Sequence, residues 1–400
     1  MPPAVSATAL DIQARIELLA DAGQYDEALA LKDQLFATTE AESGAESAAL
    51  AEAHILIATI YRQAGNFSSA EDEMLLAIDV YEASDGPMSA SLIEPFLELG
   101  DNYSAAADYA AALSAYYEAR QIGRRNYGLL NESQLAIIDA MTAANQKLGQ
   151  TEEAQELQVE AMTIIERRYG ETSLEGIDAQ YKYALWLRGQ GLYDEERRLY
   201  FLIERTIDRE YGGDPLMKIR ALRTRADSYR RSNTADATGL AGLREAVEIA
   251  EAMPDPPPLL MAELLVDIGD WNVEFTRTRA IGDEYLQAWQ LLGSIENGEE
   301  LRDEWFGKLV VVDQRTITGR NLTNDPDAPA GHVVVFFIVD TSGRTRDIEI
   351  MESVPPGLED AAVIRIIRDS RFRPGITDGE YTAVRRGQSF GFHYRPPDDD

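Results

Sequence analysis

A chain of 400 residues is longer than one hydrophobic core usually organises, so two domains, or a repeat array with a cap, is the expectation. Apolar residues at 45 % and charged residues at 27 % exclude wholesale disorder. With 37 basic and 70 acidic side chains the net charge is −33, a field that repels phosphate backbones and anionic lipid; the absence of cysteine excludes disulfides, thiolate nucleophiles and zinc–thiolate sites.

The N-terminal run MPPAVSATALD has neither the basic region nor the apolar core of an export signal, and no stretch reaches the roughly 18 apolar residues of a spanning helix. This fits a cytosolic chain or a mature form whose signal has been removed. From there a period emerges. Gly44, Gly86, Gly128, Gly170 and Gly212 are spaced by 42 residues, and a second column runs Gly23, Gly65, Ala107, Gly149, Gly191. Two residues after the second column stand Tyr25, Phe67, Tyr109, Thr151 and Tyr193, and three further on Ala28, Ala70, Ala112, Ala154 and Glu196. Tyr61, Tyr103 and Tyr229 form a further column, and a small-residue column reads Ala58, Gly100, Thr142, Ala184, Ala226.

Glycine takes φ > 0 without penalty, so two glycine columns per period mark two helix ends, hence a helical hairpin per repeat. The apolar spacing between them is helical, as in Leu135, Ile138, Met141 and Thr142, then Leu157, Ala161, Ile164 and Ile165. The period predicts about seven hairpins between residues 8 and 293. It is clean to Gly212 and degrades through Gly239, Gly242 and the break MPDPPPLL, Met253 to Leu260.

The run LGDNYSAAADYAAALSAYYEA, Leu99 to Ala119, resembles the tetratricopeptide repeat in its Leu99-Gly100, Tyr103, Tyr109 and Ala112. The 42-residue period is similar to the longer, kinesin-light-chain type, in which a Tyr-Gly pair closes the second helix, as Tyr127-Gly128, Tyr169-Gly170 and Tyr211-Gly212 do here. Solenoids of the HEAT type share the period but not the G-x-[YF]-x-x-A turn. The resemblance implies a right-handed helical-hairpin solenoid and is nearly silent on function.

Near residue 300 the apolar period drops to 2. Val333 to Asp340 is β-branched and aromatic, Thr341-Ser342-Gly343 supplies a turn, and Arg346 to Ser353 alternates outward Asp347, Glu349 and Met351 with inward Ile348 and Ile350. After Pro355-Pro356-Gly357, Leu358 to Ser370 reads as an amphipathic helix carrying Val363, Ile366 and Ile367, and Tyr381 to Tyr394 reads as one more strand. Leu309 to Val312 adds a candidate strand in front. The predicted class is therefore mainly α, a helical-hairpin solenoid over residues 1–298, then a small α+β domain of order β-β-α-β over residues 299–400.

This module resembles the C-terminal domain of the TonB energy transducers. The family's hairpin, S-x-P, L-D-x-A-A and R-F-x-P elements correspond to Gly331-His332-Val333 through Asp340 and Gly343, Ser353-Val354-Pro355, Leu358-Glu359-Asp360-Ala361-Ala362 and Arg371-Phe372-Arg373-Pro374. Neither the family's membrane anchor nor its Pro-rich spacer is present; helical repeats stand in their place. The resemblance implies a periplasmic location and, in the family, capture of receptor segments by strand addition.

The sequence carries no recognisable catalytic constellation. His54, His332 and His393 each lack a second ligand at i+3 or i+4, although the last two border strands that could bring them together. Phosphate-cradling, dinucleotide and nucleophile-elbow motifs are absent, and Asp194-Glu195-Glu196 and Glu299-Glu300 read as solvated faces, as does the tail Asp398-Asp399-Asp400. No catalytic or metal residue and no cofactor is assigned. The candidate site is the last strand: Arg385, Arg386, Gly387, Gln388, Ser389, Phe390 and Phe392, where edge protection comes only at Arg395-Pro396-Pro397. Either this edge pairs with a partner, or Phe390 and Phe392 only complete the sheet against the Val363–Ile367 helix. On both readings proline at Ser389 is expected to remove a ladder donor.

The expected function is a non-enzymatic envelope adaptor whose repeats bind a protein or peptide, the alternative being an energy-transducer component of outer-membrane transport that contacts an outer-membrane receptor. Residues 1–300 hold 24 basic and 53 acidic groups, a net of −29 that steers a basic segment or only confers solubility. A hydrolase or transferase has no motif in its favour, and nucleic acid is not an expected partner.

Overall fold

The computed structural model describes residues 8–275, 281–313, 322, 323, 325 and 327–395. They form two compact units, Met1–Trp186 and Leu187–Asp400. The first unit opens with α1 (Ala9–Asp21), started by a capping box in which Thr8 and Asp11 satisfy each other's backbone N–H groups. Its return helix is broken into α2 (Tyr25–Leu29) and α3 (Lys32–Ser43). Three hairpins follow, α4 (Ala48–Gln63) with α5 (Phe67–Asp85), α6 (Ile93–Ala105) with α7 (Tyr109–Tyr127), and α8 (Leu135–Lys147) with α9 (Thr151–Tyr169); α10 (Leu174–Gly189) begins the next.

The two glycine columns end helices in two different ways. In the second column, Gly23, Gly65, Gly149 and Gly191 take φ between 74° and 78°, and the following N–H reaches back five residues, as from Gln150 to the Asn145 carbonyl at 2.9 Å. That is the Schellman arrangement, and Ala107 adopts it too at φ 61°. Asn233, one period beyond Gly191, holds the same place at φ 50°. In the first column Gly44, Gly86, Gly128 and Gly170 combine φ of 91–104° with ψ of 140–165°, a region essentially closed to residues with a Cβ. The small column serves close packing: a Cβ on Gly100 would enter the ring of Tyr116, whose hydroxyl donates to Asp101 at 2.7 Å.

The second unit continues with α11 (Tyr193–Glu210), α12 (Pro215–Arg231), α13 (Ala237–Glu251), α14 (Pro258–Phe275), α15 (Glu284–Leu292) and α16 (Gly298–Arg302), ending in a π-helical turn, Asp303–Gly307. Beyond the Met253–Leu260 break the repeat chemistry returns. Gly269 sits under the ring of Tyr285, whose hydroxyl donates to Asp270 at 2.7 Å, reproducing the Gly100–Asp101–Tyr116 seat.

The C-terminal module comprises β1 (Val311–Asp313), β2 (Leu322–Thr323), β3 (Ala330–Val339), β4 (Thr345–Val354), α17 (Asp360–Asp369), β5 (Arg371–Phe372), β6 (Gly375–Thr377), β7 (Glu380–Thr382) and β8 (Val384–Tyr394). Its antiparallel sheet has the order β2-β8-β3-β4, and α17 covers one face through Val363, Ile366 and Ile367. The expected β-β-α-β core is thus β3-β4-α17-β8. One expectation is corrected: Tyr381 to Tyr394 is not a single strand. Tyr381 belongs to β7, which turns back on β6 in a separate hairpin with Ile376 opposite Tyr381. That hairpin does not belong to the sheet core. Ile376 and Tyr381 pack with Leu265 of α14, Tyr285 of α15 and Phe306. Packing within this unit therefore runs across residues 298 and 299, where the sequence pattern changes.

Candidate functional site

Strand β8 pairs with β3 in unbroken register from Ala330↔His393 to Val339↔Val384. The phase of the ladder follows from one bond, Tyr394 N–H donating to the Pro329 carbonyl at 3.0 Å. Antiparallel backbone groups alternate sides residue by residue, so Val384, Arg386, Gln388, Phe390 and Phe392 direct N–H and C=O toward β3. Arg385, Gly387, Ser389 and Gly391 direct theirs away from it. On that far side the described residues place only Leu322 and Thr323, opposite Tyr394 and His393. Among the described residues, no strand therefore pairs with the outward backbone groups of these four residues. The candidate strand is an edge over this stretch and an inner strand at its end.

Side chains divide by the same alternation. Arg385, Gly387, Ser389 and Gly391 lie on the exposed face, while Phe390 is 7 % exposed and packs in the core with Val363, Ile366 and Ile367. Phe392 is half-buried beside it. The aromatic pair therefore completes the sheet, and the open edge is a property of the backbone; the two readings of this strand describe different atoms. Arg385 meets Glu349 across the exposed face at 3.0 Å, a solvated pair worth little. Arg386 points inward, where burial pushes its guanidinium below the ordinary value in spite of Asp303 nearby. The expectation for Ser389 is corrected here. Its N–H points outward, so proline there removes no donor from the β3 ladder.

The histidines hold no ligand geometry. His54 is buried, bonded to Glu73 at 2.7 Å, with its ring tilted against that of Phe36. His332 lies 3.3 Å from Glu352, and the Nδ1 of His393 bonds the Ala328 carbonyl at 2.9 Å. Among the described residues no group of three or more His, Cys, Asp or Glu could hold a metal. The first unit offers a groove of about 450 Å³ between α8, α9 and α10, floored by Leu135, Ala161, Met162 and Ile165, with Glu132, Glu175 and Asp178 among its walls.

A second constellation was not anticipated from sequence. Glu263, Asp267, Asp270 and Glu274 recur at i, i+4, i+7 and i+11 and share one face of α14. Three arginines meet them. Arg223 of α12 donates to Glu263 and Asp267 at 2.7 Å each, and Arg230 donates to Glu274 at 2.9 Å. Arg373, the third residue of the R-F-x-P turn, donates to both oxygens of Asp270 at 3.1 and 3.0 Å and to the Trp305 carbonyl at 3.2 Å. Arg373 and Asp270 are each 10 % exposed. Burial opposes the charge on Arg373, yet Asp270 outweighs it and holds the guanidinium above its ordinary value. The available signal was the helical spacing of four acids, which a chain with 70 acids disguises as a solvated face.

Residues 7–83 match the tetratricopeptide-repeat family model, and residues 328–395 match that of the Gram-negative bacterial TonB protein C-terminal domain. Both are protein-interaction modules, and the second is an envelope domain. No curated protein matches the chain. Among solved structures it is similar to nearly identical TPR-like repeats assigned to a kinesin light chain of Podosopora anserina, at 19 % identity over 47 % of this chain and 89 % of that one, TM-score 0.40. It is similar to BtubC from P. vanneervenii at 16 % identity over 62 % and 95 %, TM-score 0.40. The C-terminal part of a TPR repeat-containing protein from Cytophaga hutchinsonii aligns at 10 % identity over 72 % and 98 %, TM-score 0.43. No helix among the described residues is long and apolar enough to cross a membrane.

Proposed function

We propose that this chain, which joins tetratricopeptide repeats to a TonB-type C-terminal domain, is a non-enzymatic adaptor of the cell envelope acting in the periplasm. The C-terminal module captures an extended segment of a protein partner along β8, and the helical repeats present a second surface to a protein or peptide. The observation that carries this reading is the open row of outward N–H and C=O groups at Arg385, Gly387, Ser389 and Gly391, derived from the register and the Tyr394–Pro329 bond. An added strand satisfies such a row with backbone bonds, while alternate side-chain positions supply selectivity. Gly391 favours close approach, since nothing lies within 4 Å of a Cβ placed on it, whereas Gly387 is covered by the Phe336 ring.

Ser389→Pro tests it. The substitution leaves the β3 ladder intact and blocks the middle of the outward row, a position where strands tolerate proline. Partner segments pulled from envelope extract by the intact chain should be lost with Ser389→Pro, while its circular dichroism stays native. Retention of those partners by the folded variant would remove this edge as the capture site and leave the helical repeats as the binding surface.

A further inference from the structure

We propose that the exposed face shared by α5, α7 and α9 docks a basic amphipathic helix of a protein partner. The inference rests on reading the helical repeats as a binding surface and is independent of what the β8 edge captures. Its basis is a further column in the repeat. Leu75, Tyr117 and Val159 are 42 residues apart, and each is the ninth residue of a 19-residue helix. Each is left 38–49 % exposed. A single exposed apolar side chain is ordinary, but the same position left apolar and uncovered in three successive hairpins marks a face. Beside Tyr117 that face is hollow. A depression of about 300 Å³ opens between α7 and α9, walled by Leu113, Tyr117 and Leu157 and floored by Met141 of α8, with Glu153 and Glu156 on its rim. It lies at the small end of the range for ligand pockets, a size for the side chains of a docked segment.

The backbone decides the form of the occupant. Within α5, α7 and α9 the N–H and C=O groups are bonded along each helix, so this face offers no row of partners to an extended chain. A docked strand would bury its own backbone groups unpaired, whereas a helix arrives with them satisfied. Charge decides its composition. Asp72 and Asp79 flank Leu75 three residues before and four after, Glu118 adjoins Tyr117, and all three are exposed, as are Glu153 and Glu156. Helix α5 carries no base, and the bases of α7 and α9 lie in their last turns except for Arg120, which is turned onto Glu160. A second copy of the same face would set these acids against their own kind, and an anionic lipid surface would be repelled in the same way. A helix with lysine or arginine beside an apolar stripe complements both the column and its flanks.

The test uses the full chain and a labelled synthetic helix of leucine and lysine with the leucines in one stripe, titrated by fluorescence anisotropy at about 0.15 M salt. Two comparators accompany it, a scrambled peptide of the same composition and a leucine–glutamate helix with the same stripe. The leucine–lysine helix should bind, and both comparators should bind at least about tenfold more weakly. Tyr117→Ser should weaken binding about tenfold, as loss of a central aromatic contact does. Glu153→Gln with Glu156→Gln should weaken it about fivefold and decides the matter if Tyr117→Ser does not fold. Glu40→Gln with Glu46→Gln, the same charge change at exposed acids near the end of α3, should leave binding within about twofold. Equal binding of the scrambled peptide, or equal losses from the two glutamate pairs, would reduce the effect to net charge and overturn the proposal. Stripe-dependent binding that ignores Tyr117→Ser and the Glu153 and Glu156 pair overturns this face while leaving the repeats a binding surface. No binding by any peptide overturns it too, and the adaptor reading then stands or falls with Ser389→Pro. Self-association in sedimentation that Tyr117→Ser abolishes would make the occupant a second copy and overturn the basic helix.

Discussion

Glycine in this repeat answers two different backbone demands, and the difference can be measured. Gly149 sits at φ 74° in the left-handed helical region, with nothing within 4 Å of an added Cβ. An alanine there meets only the backbone penalty, about 1–2 kcal/mol, and Ala107 already accepts it at φ 61°. Gly128 is equally unobstructed, but its φ of 93° with ψ of 165° lies where a Cβ is essentially excluded. Gly128→Ala should therefore destabilise more than Gly149→Ala, by about 1 kcal/mol or more in urea unfolding. The reverse substitution completes the comparison. Ala107→Gly relieves about 1–2 kcal/mol of left-handed strain and adds about 0.4–1 kcal/mol of unfolded-state entropy, so a small net stabilisation is expected. Equal losses at Gly128 and Gly149, or destabilisation by Ala107→Gly, would mean the columns are not set by backbone conformation.

Among the elements, legibility in the sequence follows the range of the interaction that fixes each one. The helical pairs were readable because each glycine ends its own helix locally, and β3, β4, α17 and β8 were readable because they are long enough to show a period. Strands β5, β6 and β7, of two or three residues, are too short for alternation to register. The β8 residues were identified as a site, but which of them open outward was not, because the phase depends on pairing with Pro329, far back in the chain. The α14 ladder is the clearest loss. Its helical spacing was visible, whereas its burial depends on an arginine 103 residues away. That long-range pair is also the element-scale prediction. Arg373→Ala leaves Asp270 buried with Tyr285 and a more distant Arg230, so the unfolding midpoint reported by Trp289 and Trp305 should fall by an equivalent of about 3 kcal/mol. A shift within the scatter expected of a surface substitution would show that Arg373 does not hold the module.

For the whole molecule, the division between residues 298 and 299 separates two sequence grammars, and the physical seam is a different question. The module has a core of its own, Val333, Val335 and Phe337 with Val363, Ile367 and Phe390, so a fragment 299–400 should keep its sheet and α17. It would also carry surfaces built for α14 and α15: Phe306 and Ile376 would be exposed, the Tyr381 hydroxyl would lose the Gly282 carbonyl it reaches at 2.7 Å, and Arg373 would lose Asp270. Fragment 254–400, beginning in the break before α14, restores all four partners. Hydrogen exchange should therefore find β3 and β8 protected in both fragments, but the β6–β7 hairpin protected only in 254–400. Equal protection of the hairpin in 299–400 would place the seam at residue 299 and make the helical contacts incidental. Protection restored by residues 254–298 means that the strand-bearing module is mounted on the last repeat hairpin, so a pull on the β8 edge reaches α14 through Asp270 and Arg373.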